Sequence, residues 1–238
     1  MSIGRAKEIE IKVIPSKIAN AFIKKHHYSG KVVNNSTLHF GAFLDKKLHG
    51  VLSYGNSLDK SKIIQLVEDT EWNGFLELNR MAFDDYLPRN AESYCISQTI
   101  KLIKKNAPQI KWIISFADAT QCGDGTIYRA SNFVLTDIKE NHNLARFKNG
   151  EVYHKMTFES NPTKKFSVLG NKSAYDITGG SYNFKKIIEV TGAEILTGFQ
   201  LRYIYFIDKQ YRKKLTVPEI PFSEIKKRGA QMYKGEKY

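Results

Sequence analysis

FADATQCGDGTIYRASNF, residues Phe116 to Phe133, opens as the end of a strand and closes as a short helix. The residues before it, Lys111-Trp112-Ile113-Ile114-Ser115, form an apolar run of strand length, so the whole reads as buried strand, glycine-bearing turn, helix. In an α/β protein such a turn places polar side chains over the crevice at the carboxyl edge of the sheet, where ligands bind. Asp118 is therefore a candidate base or ligand orienter, although a carboxylate at such a place equally caps its own turn. Gly123 and Gly125 permit positive φ and close backbone approach. Cys122 would be nucleophilic only with a stabilised thiolate and reads as inert. Tyr128, at the start of the helix, offers a phenol that can protonate a departing thiolate or alkoxide, with plain packing as its alternative role.

Working outward, the first two thirds alternate strands and helices. Glu8 to Ile14 alternates polar and apolar residues, and Pro15-Ser16 caps a helix carrying Ile18, Ala21 and Phe22 to His26-His27-Tyr28. Leu38 to Leu44 and Leu48 to Tyr54 form a hairpin across Asp45-Lys46-Lys47, and Gly74 to Phe83 is a further strand. Pro88 and Asn90 precede a helix with Ile96, Ile100 and Ile103 on one face, ending before Pro108. After Asn132 the pattern weakens: a polar stretch Lys139 to Asn149, a strand Glu151 to Phe158, an irregular segment Asn161 to Asn183, a strand Leu201 to Ile207 and a proline-punctuated tail. The order predicts a mixed α/β (α+β) fold around one sheet flanked by helices. A catalytic core over residues 1–160 would carry a basic C-terminal extension, 161–238, packed on it.

Composition narrows the function classes. With 238 residues the chain can bury a full core, and 42% hydrophobic with 26% charged residues excludes intrinsic disorder. No apolar run is long enough for a membrane span, and MSIGRAKEIEIK lacks a secretory apolar centre, so a cytoplasmic protein is expected. Two cysteines, Cys95 and Cys122, are too few for a disulfide framework. The net charge of +13 favours a polyanionic partner. Phe199 to Tyr238 holds ten Lys/Arg against four Asp/Glu, interleaved with aromatic rings that could stack bases. Arg202, Tyr211, Arg212, Lys213 and Lys214, with Lys226, Lys227 and Arg228, are the candidate DNA-contacting residues.

The element order, with IYRASNF after the buried strand, resembles the GNAT acetyltransferase fold, whose late helix often carries a tyrosine that protonates the coenzyme A sulfur. That likeness implies the acid role for Tyr128. The chain departs from the fold's usual glycine-containing pyrophosphate loop: Leu87-Pro88-Arg89-Asn90-Ala91-Glu92-Ser93 has no glycine. Arg89, Ser93 and the helix start could still meet an anion there. A narrower resemblance covers most of the chain. HHYSGKVV, GVLSYG, LELNRMAF, ISFADATQCGDGTIYRASNF and the tail from QLRYIYF to QMYKG are similar to the Mom family of phage DNA-modification proteins. The resemblance implies an enzyme that converts adenine to N6-carbamoylmethyladenine and so protects phage DNA from host restriction. It implies functional roles for His27, Tyr28, Arg80, Ser93, Asp118 and Tyr128, and bound iron, for which His27, Tyr28 and Asp118 are the candidate ligands.

The chemistry sets demands on these groups. The exocyclic amine of adenine is a poor nucleophile, and its base must leave the duplex, which costs a few kcal/mol. Asp118 or neutral His27 is the candidate proton acceptor and Tyr128 the donor to the leaving group. Arg80, Arg89 and Ser93 would hold the anionic or carbonyl end of the two-carbon donor; Glu77 or Asp84 is the structural alternative partner for Arg80. The donor is either acetyl-CoA, which lacks the terminal amide nitrogen, or glycyl-tRNA, which supplies it but still requires a rearrangement. Two other readings stay open: an ordinary acyl-CoA N-acyltransferase acting on a small amine or protein, and a nucleic-acid-binding module without chemistry.

Overall fold

A computed structural model of the chain describes residues 4–233 and 236–237, with the side chains of Cys122 and of residues 233, 236 and 237 left out. In chain order the elements begin with β1 (Glu10–Val13), α1 (Ser16–His26), β2 (Ser36–Leu44), β3 (Lys47–Gly55), α2 (Lys60–Ile63), β4 (Phe75–Phe83) and α3 (Ala91–Asn106). The middle of the chain supplies β5 (Trp112–Asp118), α4 (Ala119–Cys122), α5 (Thr126–Ala130), β6 (Val134–Arg146) and β7 (Val152–His154). A satellite of short pieces follows: α6 (Met156–Glu159), β8 (Lys165–Phe166), β9 (Lys172–Ser173), α7 (Ala174–Thr178) and α8 (Phe184–Thr191). Then come β10 (Glu194–Phe206) and α9 (Ser223–Lys227). Among the described residues, no helix is long and apolar enough to cross a membrane.

Eight strands form one mixed sheet in the order β1-β2-β3-β4-β5-β10-β6-β7. Its centre is β5, parallel to β4 and antiparallel to β10. Both faces of β5 are covered, which explains its unbroken apolar run: Ile113 and Ala117 join the core with α3 and Tyr128, whereas Trp112 and Ile114 join Phe75, Leu66 and Ile204 on the other face. The α3 helix buries Ala91, Cys95, Ile96, Thr99, Ile100 and Ile103, a stripe at helical spacing. Burial pushes the Cys95 thiol up to about 12, so it stays protonated packing.

Four expectations need correction. The polar stretch Lys139 to Asn149 lies largely within β6, a thirteen-residue strand; β7 covers its outer edge only at Leu144 to Arg146, so much of the strand faces water and is polar. The strand expected over Glu151 to Phe158 is three residues long, and α6 occupies the rest. β10 is not part of an appended extension: it inserts between β5 and β6 and supplies Leu201, Tyr203 and Ile204 to the core. The segment Asn161 to Asn183 contains α7, held by a capping box between Ser173 and Asp176. The satellite has a small aromatic core of its own around Phe147, Phe158, Leu169 and Ile187.

Candidate functional site

The site begins where β4 and β5 part. They pair at Phe75↔Trp112, Leu76↔Ile113 and Glu77↔Ile114 and no further. One residue on, Tyr54↔Leu78 is followed by Ser53↔Arg80, which leaves Asn79 as an extra residue in β4. A bulge of this kind bends the strand and re-aims the next side chain. A cavity of about 410 Å³ opens into the gap, and His27, Tyr28, Arg80, Glu92, Asp124 and Tyr128 are among its lining residues.

Tyr128 is set by the turn that precedes it. Gly125 has φ +73°, and a Cβ there would lie 2.6 Å from the Tyr203 ring, so both conformation and space demand glycine. The Tyr203 hydroxyl donates to the Asp124 carbonyl. The buried Asp124 carboxylate accepts from the Thr126 N–H (3.1 Å), the Thr126 hydroxyl (2.7 Å) and Arg129 Nη2 (3.2 Å). The resulting short helix leaves Tyr128 only 7% exposed, packed on Phe133 and Tyr203, with its hydroxyl 2.8 Å from Ser115 Oγ.

Arg80 faces the same cavity. Its Nε donates to the Lys31 carbonyl (3.2 Å) and its Nη1 to the Asn79 carbonyl (2.8 Å). No ion pair to Arg80 within 4 Å is found among the described residues: Asp84 instead accepts from His49, and Glu77 is a half-buried carboxyl that desolvation raises above its ordinary range while the Arg80 charge draws it down. With two carbonyls as its hydrogen-bond partners and Glu77 acting on it only through space, the guanidinium suits an anionic or carbonyl ligand group in the cavity.

His27 is held neutral. Burial, helped by the charge of Arg80, lowers its pKa to about 4. Its Nδ1 accepts from the Ser29 N–H at 3.1 Å, so the neutral ring carries its proton on Nε2. That changes the role expected of it: Nδ1 is already engaged and Nε2 is a donor, so His27 is built to give a hydrogen bond rather than to take a proton. Tyr28 packs against it with ring centroids 4.3 Å apart and is 51% exposed, at the rim.

The remaining candidates separate from this group. Asp118 is not among the cavity-lining residues; it caps α4, accepting from the Thr120 N–H (3.1 Å) and Gln121 Nε2 (3.5 Å), while burial raises its pKa. Arg89 and Ser93 flank the cavity-lining Glu92 without lining it, and the Ser93 hydroxyl donates to the Asn90 carbonyl. Glu92, an exposed carboxylate whose pKa is raised by partial desolvation, is the one that the helix start presents to the cavity. Of the candidate iron ligands, His27 and Tyr28 line the cavity, whereas Asp118 caps its own helix and is not among the lining residues. Among the described residues no group of three His, Cys, Asp or Glu side chains is placed to hold a metal. Cys122 lies outside the described side chains.

The basic residues are dispersed. Arg202 is inside the sheet, bonded to the Thr136 hydroxyl (2.9 Å) and carbonyl (3.1 Å) and 3.8 Å from Asp137. Arg212 is forked onto Glu219 at 2.6 and 2.7 Å. Lys214 pairs with Asp69 and sits over the Tyr211 ring. Lys227 and Arg228 share Glu224. Lys213 and Lys226 have no ion pair among the described residues. The 209–214 turn is tied to the start of β5 through the Asp208 N–H and the Lys111 carbonyl, whereas the cavity lies at the end of β5, about 20 Å away at strand rise.

A model of the Mom protein family matches residues 8–224. The chain belongs to the Mom protein family. A relative from Escherichia phage Mu, named methylcarbamoylase mom, is 35% identical over 212 residues, covering 88% of this chain and 80% of the relative. The family is thus one of enzymes. Among solved structures, an IAA acetyltransferase from Bacillus cereus has a TM-score of 0.44 at 11% identity, covering 83% of this chain and 99% of the other. A GNAT family acetyltransferase from Elizabethkingia anophelis with acetyl-CoA bound has a TM-score of 0.41 at 13% identity, covering 61% and 92%. Ser115, Asp124 and Glu92 are the site residues that sequence reasoning passed over. Ser115 hides in an apolar strand, Asp124 shares a turn with the more suggestive Asp118, and Glu92 sits where an anion-binding loop was sought.

Proposed function

We propose that this Mom family member modifies adenine in phage DNA at N6 to give N6-carbamoylmethyladenine, making the DNA resistant to host restriction nucleases. The observation that carries the reading is the convergence of Arg80, a neutral His27 and the Tyr128 phenol on one cavity at the β4–β5 gap, in a chain whose phage Mu relative is named a methylcarbamoylase.

In this reading Arg80 and His27 Nε2–H hold the carbonyl of the two-carbon unit and absorb charge that grows on its oxygen. The flipped adenine enters past the exposed Tyr28 ring, which offers it a stacking face. As N6 attacks that carbonyl, Glu92, its pKa raised by desolvation, takes its proton and Tyr128 protonates the leaving sulfur or oxygen. With a glycyl donor the amide so formed, N6–CO–CH2–NH2, is an isomer of the carbamoylmethyl group, and a rearrangement that exchanges the two nitrogens between the carbonyl and methylene carbons completes the product. Glu92 also bears on the donor. A carboxylate at the start of α3, with no glycine before it, opposes a pyrophosphate and suits an ammonium group. This favours a glycyl unit carried on tRNA over acetyl-CoA, and the glycyl unit also brings the amide nitrogen.

The test is nucleoside mass analysis of DNA from cells expressing the protein, followed by reconstitution of the purified protein with glycyl-tRNA or acetyl-CoA. A carbamoylmethyl adduct on deoxyadenosine, told from its glycyl isomer of equal mass by fragmentation, is expected, dependent on glycyl-tRNA. Unmodified DNA beside an acetylated small amine would overturn the reading.

A further inference from the structure

We infer that Ser115 is a positioning residue for the acid step: a hydroxyl that turns from the Leu78 carbonyl to the Tyr128 oxygen as Tyr128 gives up its proton. The inference rests on the reading of Tyr128 as the proton donor and adds to it the group that makes the phenolate tolerable.

Ser115 sits in the middle of β5, fully buried, between Ile113 and Ala117 on the same face of the strand. A hydroxyl at such a place is costly unless it is bonded. Its Oγ is within reach of two oxygens at once, Tyr128 Oη at 2.8 Å and the Leu78 carbonyl at 3.1 Å. A serine hydroxyl has one proton, and a carbonyl can only accept. With that proton on the Leu78 carbonyl, Ser115 Oγ offers a lone pair to the Tyr128 O–H. With it on Tyr128 Oη, the phenol proton points away from Ser115 and the phenol oxygen is already hydrogen-bonded.

The gap in the sheet makes both states available. Pairing of β4 with β5 stops at Glu77↔Ile114, so on this side the Leu78 carbonyl has left the ladder and can take a side-chain donor instead. In the step itself, the phenol O–H bond breaks as its proton passes to the leaving sulfur or oxygen, which takes the electron pair of its broken bond to carbon. The O–H pair remains on Tyr128 as phenolate. The Ser115 O–H bond stays intact and changes only its acceptor, becoming a charge-assisted hydrogen bond to the phenolate. Water restores the phenol proton afterwards.

The test replaces Tyr128 in the full chain with a difluorotyrosine, whose phenol ionises near neutral pH, and follows its fluorine resonance through a pH titration. Ser115→Ala should raise the phenol pKa by about one to two units, the loss of one hydrogen bond to a charged group. Ser115→Thr, which keeps the hydroxyl, should restore it, and Ser115→Cys, a weak donor, should fall between; these two serve if the alanine variant does not fold. A titration unchanged within a few tenths of a unit in Ser115→Ala, or in Ser115→Cys if that must stand in, overturns the inference. The acid role of Tyr128 is scored separately, by DNA adduct in cells. An adduct at the unsubstituted level in Tyr128→Phe sinks that role, whereas loss of adduct with an unmoved titration sinks only the role of Ser115.

Discussion

Gly125→Ala isolates what the turn before α5 contributes. The substitution adds one carbon at a position with φ +73°, and that carbon would meet the Tyr203 ring at 2.6 Å, 2.9 Å and 3.0 Å (Cε2, Cζ and Oη). The left-handed conformation costs a side-chain-bearing residue about 1–2 kcal/mol. Overlap with a buried ring that cannot swing away costs about 1–3 kcal/mol more. Tyr203 is buried and its hydroxyl is fixed on the Asp124 carbonyl, so relaxation has to move the turn itself. The sum, about 2–5 kcal/mol, corresponds in a protein of this size to a fall in Tm of about 4–20 °C. Calorimetry and urea unfolding measure it directly. Because the displaced turn carries Tyr128 away from Ser115, DNA modification should fall even at temperatures where the variant is folded. A variant that melts within about 2 °C of the parent, with full modification activity, would refute the argument that backbone conformation and the Tyr203 ring fix this turn.

The other expectations concern charge and protons. Tyr128→Phe should lower turnover by about 10²–10⁴-fold while DNA affinity measured by gel shift changes little; equal losses in both would make Tyr128 a packing residue. His27 has a pKa near 4 in the folded chain against 6.5 unfolded. The unfolded state therefore binds the extra proton between those values, and stability falls as pH drops from about 6.5 to 4. The contribution is up to about 3 kcal/mol, and His27→Gln should flatten the pH dependence of urea unfolding in that window. Neutralising Lys213 or Lys226, which have no ion pair among the described residues, should flatten the salt dependence of DNA binding by about one log unit per log unit of salt for each phosphate no longer neutralised. Arg202→Gln should instead lower Tm, since its partners lie within the sheet; an intact Tm with weakened DNA binding would return Arg202 to the interface.

How far the sequence could be read depends on how local the decisive interaction is. β5 and α3 were legible because burial on two faces writes an unbroken apolar run, and burial on one helical face writes a stripe. β6 was not, since much of it faces water and its polar residues imitate a loop. β10 was read from Leu201 on, where both faces are covered, and missed before that, where Gly198 is required by the Thr120 side chain packed on it, a neighbour from across the fold. Tyr128 was legible through its motif. The choice between Asp118 and Asp124 was not, because both cap a short helix in the same turn and only the splay of β4 from β5 decides which one lines the cavity.

The basic tail shows the same limit with a consequence for mechanism. Its composition reads as a nucleic-acid footprint, yet Arg212, Lys214, Lys227 and Arg228 all have carboxylates beside them, and Asp69 is far from Lys214 in sequence. A cation already paired gains less from a phosphate, since it must surrender or share its acid first. Binding energy for extruding a base must also act near the cavity, and the 209–214 turn is tied to the far end of β5. Lys31 is better placed than the tail: its carbonyl holds Arg80, and its ammonium, its pKa lowered by burial, lies over the Tyr153 ring. Lys31→Ala should therefore weaken DNA binding and modification together. Modification that survives this change but fails on replacement of Lys213 would put the tail, and not the cavity rim, in charge of seating the DNA.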